Sequence, residues 1–288
     1  MKKFLATICA AALLLTGCGG SSEQSGVDKP GDNFSGAEVK LGMITPLNST
    51  EEKMSGLLDK IEEAAGVKDT RHRPKFYDNL RSMQMAVEAG EVQEISLYKS
   101  VANYIIATNN KFEIVPDNAL EKISYSFCFA VRKDDAQLKA DLDKVIGEMK
   151  ADGTLDKLIN EYITNVDKEQ APPKVEIPMT DGAPTIKVGI TGDLPPLDLI
   201  LPDNSPAGFN TAMLAEIAKR LGRNIEPVQI ESGARASALS SKFIDVVFWA
   251  IVPLGKELPI DLDKPEGLEL STPYFSDSVA HIRLKAAK

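Results

Sequence analysis

Apolar residues recur along the chain with two spacings, one typical of strands and the other of amphipathic helices. Strands are predicted over Val39–Ile44, Glu94–Leu97, Tyr125–Val131, Ile186–Ile190, Ile225–Ile230 and Ile244–Trp249. Helices are predicted over Ser49–Ala65, a segment around Met83–Val87 that ends near Gly90, Val101–Ala107, Leu138–Met149, Leu155–Ile163 and Thr211–Leu221. Because strands alternate with helices, the fold class is predicted to be α/β, with parallel or mixed sheets flanked by helices.

Two segments break this alternation. Residues 18–37 are mostly glycine, serine and other polar residues, with Phe34 as the one large apolar side chain. That composition predicts a flexible tether. Residues 165–184 contain Pro172-Pro173 and Asp181-Gly182 and show no amphipathic period. They are predicted to form a linker or a surface strap between two folded segments.

The first residues have the pattern of an export signal. Lys2 and Lys3 precede the apolar run Phe4–Leu15, which is too short to span a membrane stably. Leu15-Thr16-Gly17-Cys18 resembles the bacterial lipobox, so residues 1–17 are predicted to be a signal peptide and Cys18 a lipid attachment site. The alternative is a plain signal peptide with an incidental cysteine. A multiply acylated cysteine would anchor the chain to the membrane stably.

The charge balance limits the possible partners. The chain carries a formal charge of −9, and removal of Lys2 and Lys3 with the signal peptide would bring it to −11. Nucleic acids are bound through basic patches that neutralise phosphates, so no nucleic-acid partner is expected. The acidic balance gives no support to electrostatic binding of anionic lipid either.

The chain lacks the common signatures of catalysis. We find no nucleophile elbow, no phosphate loop and no metal-spaced His or Cys cluster, and only two histidines are present. Cys128 lies in the apolar segment Phe127–Val131 and is predicted to be a small buried side chain rather than a catalytic thiol. We therefore predict no enzyme activity, no cofactor and no metal site.

Several motifs resemble the polar amino-acid-type periplasmic binding proteins, the extracellular solute-binding protein family 3. In the second half they are Thr191–Asp198, Ala207–Asn210, Leu214–Ala218, Ala238-Leu239, Ile244–Val247 and Ser271–Phe275. In the first half, Phe129–Lys133 and Met149–Leu155 are similar to the family's carboxyl-terminal strand and paired helices. The resemblance implies a two-lobed, type II periplasmic-binding-protein-like fold. It also implies a monomeric extracytoplasmic protein that delivers a small polar solute, an amino acid or related compound, to an ABC transporter permease.

The order of the lobes differs from that family. The resemblance places lobe two at 38–125, the returning strand and helices of lobe one at 126–164, the linker at 165–184 and the main part of lobe one at 185–288. Circular permutation would explain this order, with new ends near Val39 and Leu284, because such joins are tolerated at exposed termini. Two truncated tandem copies are the alternative.

The resemblance also selects candidate ligand-binding residues in lobe one, which are Asp193, Leu197, Trp249 and Ala250. Trp249 could stack on a ligand or lie in the core. Asp193 could bind a ligand amine or cap the Pro195-Pro196 turn. The family's T-x-x-R arginine, which grips the α-carboxylate, is missing from Ala250–Lys256.

In lobe two, the candidates are Asn48, Ser49, Thr50 and Tyr98. The first three lie at the amino terminus of a predicted helix, a place that suits a carboxylate. They could equally form a capping box, Asn48 with Glu51 or Ser49 with Glu52. Tyr98 stands where the family usually carries the aspartate that pairs the ligand ammonium.

Arg235 is a candidate replacement for the missing carboxylate partner, since a guanidinium makes bidentate pairs with carboxylates. Its alternative role is a surface salt bridge. The departures at Tyr98 and Ala250–Lys256 leave three functions open: a transport receptor, a sensory or scaffold module with lost or altered binding, and, with least support, an enzyme on the same fold.

Overall fold

The computed structural model describes residues 35–116, 119–168, 170–256 and 258–286. The predicted signal peptide, Cys18 and all but the last residues of the predicted tether lie outside this range. Within it, no helix is both long enough and apolar enough to cross a bilayer.

The described strands and helices follow the chain in this order. The strands are β1 (Ala37–Ile44), β2 (Thr70–Tyr77), β3 (Glu94–Tyr98), β4 (Phe112–Ile114), β5 (Ser124–Arg132), β6 (Thr185–Ile190), β7 (Asp193–Leu194), β8 (Asp198–Ile200), β9 (Pro206–Ala207), β10 (Asn224–Gln229), β11 (Val246–Leu254), β12 (Leu268–Leu270) and β13 (Phe275–Leu284). The helices are α1 (Glu51–Ala64), α2 (Leu80–Glu88), α3 (Lys99–Thr108), α4 (Ala136–Ala151), α5 (Thr154–Ile159), α6 (Phe209–Leu221) and α7 (Arg235–Ser240).

Each strand and helix predicted from periodicity is confirmed, with small changes at the ends. The largest changes are in β11, which runs on to Leu254, and in α5, which ends at Ile159 before a π-helical turn over Asn160–Thr164. Strand β2 was not predicted, because Arg71, Arg73 and Lys75 interrupt its apolar pattern. It is the edge strand of its sheet, a position that tolerates charged residues and proline.

Two sheets share one strand. Sheet I has the order β2-β1-β3-β13, and sheet II has the order β10-β6-β11-β5-β13. Strands β1, β2 and β3 are parallel to one another, as are β6, β10 and β11, whereas β5 and β13 run antiparallel to their neighbours. Phe275–Ser278 of β13 pair with β5, and Val279–Ile282 pair with β3. The predicted α/β class with mixed sheets is confirmed.

The start of α1 differs from the predicted capping boxes. Thr50 is the N-cap, and its Oγ1 accepts a hydrogen bond from the Lys53 amide at 3.2 Å. The capping boxes that start at Asn48 or Ser49 are wrong because the helix begins later. Asn48 turns away and donates through Nδ2 to the Asp261 carbonyl at 3.1 Å, while Glu51 accepts from the Phe76 amide at 2.8 Å.

Residues 165–168 and 170–184 form no helix and no extended strand, and they are held on the surface. Asn224 Oδ1 accepts from the Thr180 amide at 2.7 Å, and its Nδ2 donates to the Thr180 carbonyl at 3.0 Å. Lys174 makes an isolated β-bridge with Ala207 beside sheet II, and the Tyr104 hydroxyl of α3, next to sheet I, donates to the Gln170 carbonyl at 2.6 Å. This segment is therefore a strap that contacts both halves of the fold.

The centre of sheet II is apolar and closely packed. The Phe129 ring lies 5.1 Å from Phe248 and 4.8 Å from Tyr274, and all three are buried. Cys128 is buried beside them, as predicted, and burial raises the pKa of its thiol to about 12. The thiol is thus un-ionised and inert at neutral pH.

Gly208 provides a test of the turn that leads into α6. Its φ is +90°, and an added Cβ would lie 2.6 Å from the Pro196 carbonyl oxygen, which belongs to the backbone. We expect Gly208→Ala to lower the free energy of unfolding by about 3 kcal/mol or more, because strain and overlap add. Gly222→Ala is the matched control, since its φ is +61° but nothing lies within 4 Å of its Cβ, and it should cost about 1 kcal/mol. Urea unfolding measures both, and equal losses would contradict the close approach at Gly208.

Candidate ligand-binding cleft

The carboxyl ends of parallel strands from both sheets meet at one place. Thr45 and Asp78 directly follow β1 and β2 of sheet I, while Asp193 and Ser232 come shortly after β6 and β10 of sheet II. In open α/β sheets, ligands bind at such ends, where strand order and connections leave a crevice. We call this region the cleft.

A small cavity of about 50 Å³ lies in the cleft. Its lining is mostly apolar and comes from both sheets: Met43, Ile44, Pro46, Met54, Ser96, Leu97, Tyr98, Tyr125, Leu194, Ile251, Leu262 and Val279. At about 10 to 15 Å³ for each water-sized site, this space would hold about three to five water molecules. The conformation described here is therefore a closed one, and a larger ligand requires the cleft to widen.

The rings of Tyr98 and Tyr125 line the cavity, and Phe127 and Trp249 pack against Tyr98. The Tyr98 ring lies edge to face against Phe127 at 4.6 Å, Trp249 at 5.6 Å and Tyr125 at 6.4 Å between centroids. Burial raises the pKa values of Tyr98 and Tyr125, so both hydroxyls are neutral. Rings in this arrangement present flat, mainly apolar faces and edges to whatever occupies the cleft.

Arg235 is buried beside these rings, with 1% of its surface exposed. Its Nη1 donates to the Trp249 carbonyl at 3.0 Å, its Nη2 to the Thr45 carbonyl at 2.8 Å, and its Nε to the Ser232 carbonyl at 3.1 Å. The guanidinium also lies 4.1 Å from the centre of the Trp249 ring, a cation–π distance. Burial excludes the surface salt bridge considered from the sequence. Arg235 instead connects sheet II to the end of β1 in sheet I.

Three carboxylates make similar connections across the cleft. Asp263 accepts from the Leu47 amide through Oδ1 and from the Ile251 amide through Oδ2 at 2.9 Å. Asp78 Oδ1 accepts from the Gly233 amide at 3.0 Å. Asp193 Oδ2 accepts from the Leu80 amide at the amino terminus of α2.

These bonds, together with the one that Arg235 donates to the Thr45 carbonyl, are called the closure contacts. A helix amino terminus is a favourable place for an anion. In this conformation, the Asp193 carboxylate occupies the amino terminus of α2. The Asp263 carboxylate likewise accepts a hydrogen bond from the Leu47 amide, a few residues before α1.

The predicted site residues fall into three groups. Tyr98 lines the cavity, Trp249 packs against Tyr98, and Arg235 packs against Trp249; both Trp249 and Arg235 are buried. Asp193 and Asn48 make hydrogen bonds between segments of opposite sheets. The other four are Leu197 and Ala250, which are buried in the core, and Ser49 and Thr50, which lead into α1. Their predicted role in ligand binding stays a prediction.

Sequence reasoning missed Asp78, Asp263 and Tyr125. Asp78 follows the edge strand β2, which itself was not predicted. Asp263 lies in an irregular segment between β11 and β12, and no local pattern distinguishes it from other acidic residues. Tyr125 was placed in a strand, but the facing of its side chain toward the cleft depends on the pairing of β5 with β13.

With this geometry in place, the chain can be compared with known proteins. The sequence profile of bacterial extracellular solute-binding proteins, family 3, matches residues 43–165 and 186–283. The chain belongs to this family. The family comprises extracytoplasmic binding proteins rather than enzymes, with a small-molecule ligand and an ABC transporter as partner. None of the curated proteins has a sequence that matches this chain.

Solved structures of similar fold include the ligand-binding component of an ABC-type import system from Staphylococcus aureus, solved with zinc bound. It is 10% identical over 85% of this chain with a TM-score of 0.42, and the chain spans 66% of its length. The GluR0 ligand-binding core from Nostoc punctiforme, in complex with L-glutamate, is 12% identical over 86% of this chain and 85% of that chain, with a TM-score of 0.34. The effector-binding domain of QuiR, in complex with shikimate, is 10% identical over 88% of this chain and 90% of that chain, with a TM-score of 0.39. Similarities at this level concern the fold only.

Arg235→Lys tests whether the guanidinium holds the two sheets together. A lysine cannot reach three carbonyls at once, so we expect a loss of about 2 to 4 kcal/mol in the free energy of unfolding. We also expect a larger radius of gyration in small-angle scattering, because the bond to Thr45 joins the two sheets. Arg132→Lys is the matched control: Arg132 Nη1 donates to the Leu239 and Ile244 carbonyls, both on the sheet II side. The Arg132→Lys variant should lose stability without an increase in its radius of gyration. An unchanged radius in Arg235→Lys would contradict this role.

Asp193→Asn tests the electrostatics of the closure contacts. Burial raises the pKa of Asp193 to about 6, although the Leu80 amide opposes this and Asp198 adds repulsion. In the folded state the Asp193 carboxyl therefore stays protonated at pH values above its unfolded pKa of about 3.9. Wild-type stability falls as the pH rises from about 4 to about 6. Because the side chain is only half-buried, we expect a loss of about 1 to 2 kcal/mol.

Urea unfolding across this pH range should show the loss in the wild type but not in Asp193→Asn. Asp181→Asn, in the exposed turn of the strap, should behave like the wild type. Identical pH profiles for all three proteins would be the contrary result.

Proposed function

We propose that this protein is a lipid-anchored solute receptor that closes its two sheets over a small, uncharged solute with a flat ring and delivers it to an ABC importer. The observation that carries the proposal is the aromatic cavity at the meeting point of the strand ends. Membership of the solute-binding family supports the receptor class. The nature of the solute is inferred from the cleft.

The cleft disfavours a zwitterionic amino acid. An ammonium would meet Tyr98, which carries no charge, where the family usually has an aspartate. A carboxylate would need Arg235, whose three donors already meet backbone carbonyls. A buried ion without a partner is costly, whereas a neutral ring could stack on Tyr98 and Tyr125, which line the cavity, at little electrostatic cost. An amino acid would bind only if opening released Arg235 from Thr45.

Binding must also widen the cleft, since the closed cavity holds only a few waters. A solute would then compete with the closure contacts. The two most affected would be the bond that the Leu47 amide donates to Asp263 and the bond that Arg235 donates to the Thr45 carbonyl. The Ser96 hydroxyl and the backbone groups released at these two places are the polar partners that would orient it.

The mode of attachment and the chain order complete the proposal. Cys18 would carry the lipid, residues 18–37 would form the tether, and the receptor would act as a monomer. The segment 37–132 supplies sheet I except β13, together with β5, while 185–284 supplies β13 and the rest of sheet II. Since neither segment contains all the strands of both sheets, this distribution supports circular permutation over tandem copies.

A second function is favoured by one observation. The closure contacts join the two sheets directly, with the chain's own carboxylates at the amides near two helix starts. A module that stays closed without a solute could serve as a sensor or scaffold that reports to a protein partner.

A thermal-shift screen separates the two functions. Purified protein would be screened against nucleobases and other uncharged ring compounds, amino acids, amines and organic acids. We expect a neutral ring compound to raise Tm, since a ligand at about a hundredfold over its Kd adds about 2.7 kcal/mol. Tyr98→Leu should weaken that ligand about fivefold through lost stacking, whereas Tyr104→Leu, outside the cleft, should not. A flat screen of folded protein would favour the sensor or scaffold function, and a hit from a charged amino acid alone would contradict the proposed solute class.

A further inference from the structure

A cluster of buried ionisable side chains lies at the end of sheet I that faces away from the cleft. His72 is near the start of β2 and Glu94 is the first residue of β3, so both lie at the amino ends of strands whose carboxyl ends form the cleft. His281 comes from β13, and Glu62 from α1 reaches the same place. All four are less than 10% exposed. The closure contacts do not involve any of them.

The donor atoms in this cluster are spaced like ligands around one cation. His72 Nε2 lies 3.4 Å from Glu94 Oε2, and His281 Nδ1 lies 3.2 Å from the same oxygen. One donor atom from each of the three residues lies within 4.8 Å of the other two. In a tetrahedral zinc site with bonds of about 2.0 to 2.1 Å, neighbouring ligand atoms are about 3.3 to 3.4 Å apart. A charge-assisted hydrogen bond would be shorter, at about 2.7 to 2.9 Å.

Glu62 orients His72 in the way that a supporting carboxylate orients a metal ligand. Its Oε1 pairs with His72 Nδ1, and it also accepts from the His72 amide at 3.2 Å. With Nδ1 engaged by Glu62, Nε2 is the nitrogen that faces Glu94. Metal-binding histidines commonly hold their second nitrogen against a carboxylate in this manner.

The cluster is reached from solvent through a separate pocket of about 540 Å³. Glu62, His72 and Glu94 form part of its lining, together with Asp69 and Pro116. The pocket provides an entry path and room for a water molecule in a fourth coordination position. Three protein ligands and an open position are typical of accessible zinc sites, whereas closed structural sites use four protein ligands.

We propose that His72, Glu94 and His281 bind a divalent transition-metal ion, with Zn²⁺ the best fit, at a site separate from the cleft. Two imidazoles and one carboxylate suit zinc, cobalt or nickel, whereas magnesium and calcium prefer oxygen ligands alone. The ion would join β2, β3 and β13 and so stabilise sheet I at the end opposite the cleft. The alternative is an ion-pair cluster without metal, in which the histidines and carboxylates neutralise one another.

The test uses the full purified chain after treatment with a chelator. We expect one equivalent of Zn²⁺ to bind in equilibrium dialysis with metal analysis, and Tm to rise on its addition. Bound Co²⁺ should give the intense visible bands of a four-coordinate site, a readout that needs no variant. His281→Gln and Glu94→Gln should weaken zinc binding by about a hundredfold or more, and Glu62→Gln by about 10- to 100-fold.

Glu113→Gln is the matched control, because Glu113 lies nearby on β4 and pairs with Arg283 outside the cluster. It should bind zinc like the wild type, and far-UV circular dichroism checks the folding of each variant. Absence of a zinc-dependent Tm change together with weak, six-coordinate cobalt bands would overturn the proposal. Equal zinc binding by the wild type, His281→Gln and Glu94→Gln would overturn it as well, since the ion would then be held elsewhere on the surface.

Discussion

The pairing register of β13 is the constraint on which the rest of the structure depends. This one strand pairs first with β5 and then with β3, so its register sets how sheet II continues into sheet I. Val279, which lies opposite Tyr98, lines the cleft cavity, and His281 on the same strand reaches the histidine and glutamate cluster. A slip by one residue would turn every side chain to the other face and would disrupt both places at once.

The closed cleft is held by groups that a ligand could also use. Arg235 and Asp263 satisfy backbone carbonyls and amides of the opposite sheet, and they do so in a buried place where an unpaired polar group would be costly. If the closed form predominates without a ligand, the apparent affinity for a solute falls by the fraction of molecules that are open. Selectivity would then depend on how well a solute replaces these internal bonds, and not on contacts with the rings alone.

Periodicity predicted the elements of the core because burial imposes it, as the apolar runs of β5 and β11 show. It failed at β2, an edge strand whose charged residues meet solvent, and at β13, where Ser276, Asp277 and Ser278 interrupt the apolar pattern. The motif resemblance selected Tyr98 and Trp249, and the chemistry of the guanidinium selected Arg235, but their role in ligand binding stays a prediction. Asp263 could not be predicted, because its partner Leu47 is far away in the chain and neither lies in a regular element. The same holds for His72 and His281, which come together only through the pairing of distant strands.

Strand order has a consequence for the newly made protein. Strand β5 is almost wholly buried, yet its partners β11 and β13 are synthesised more than one hundred residues later. Throughout that interval, both edges of β5 lack their partners, which is the condition under which strands associate between molecules. Folding of sheet II is therefore dominated by distant contacts and should be slow. The chain must therefore be kept from associating with other copies until β13 has been made.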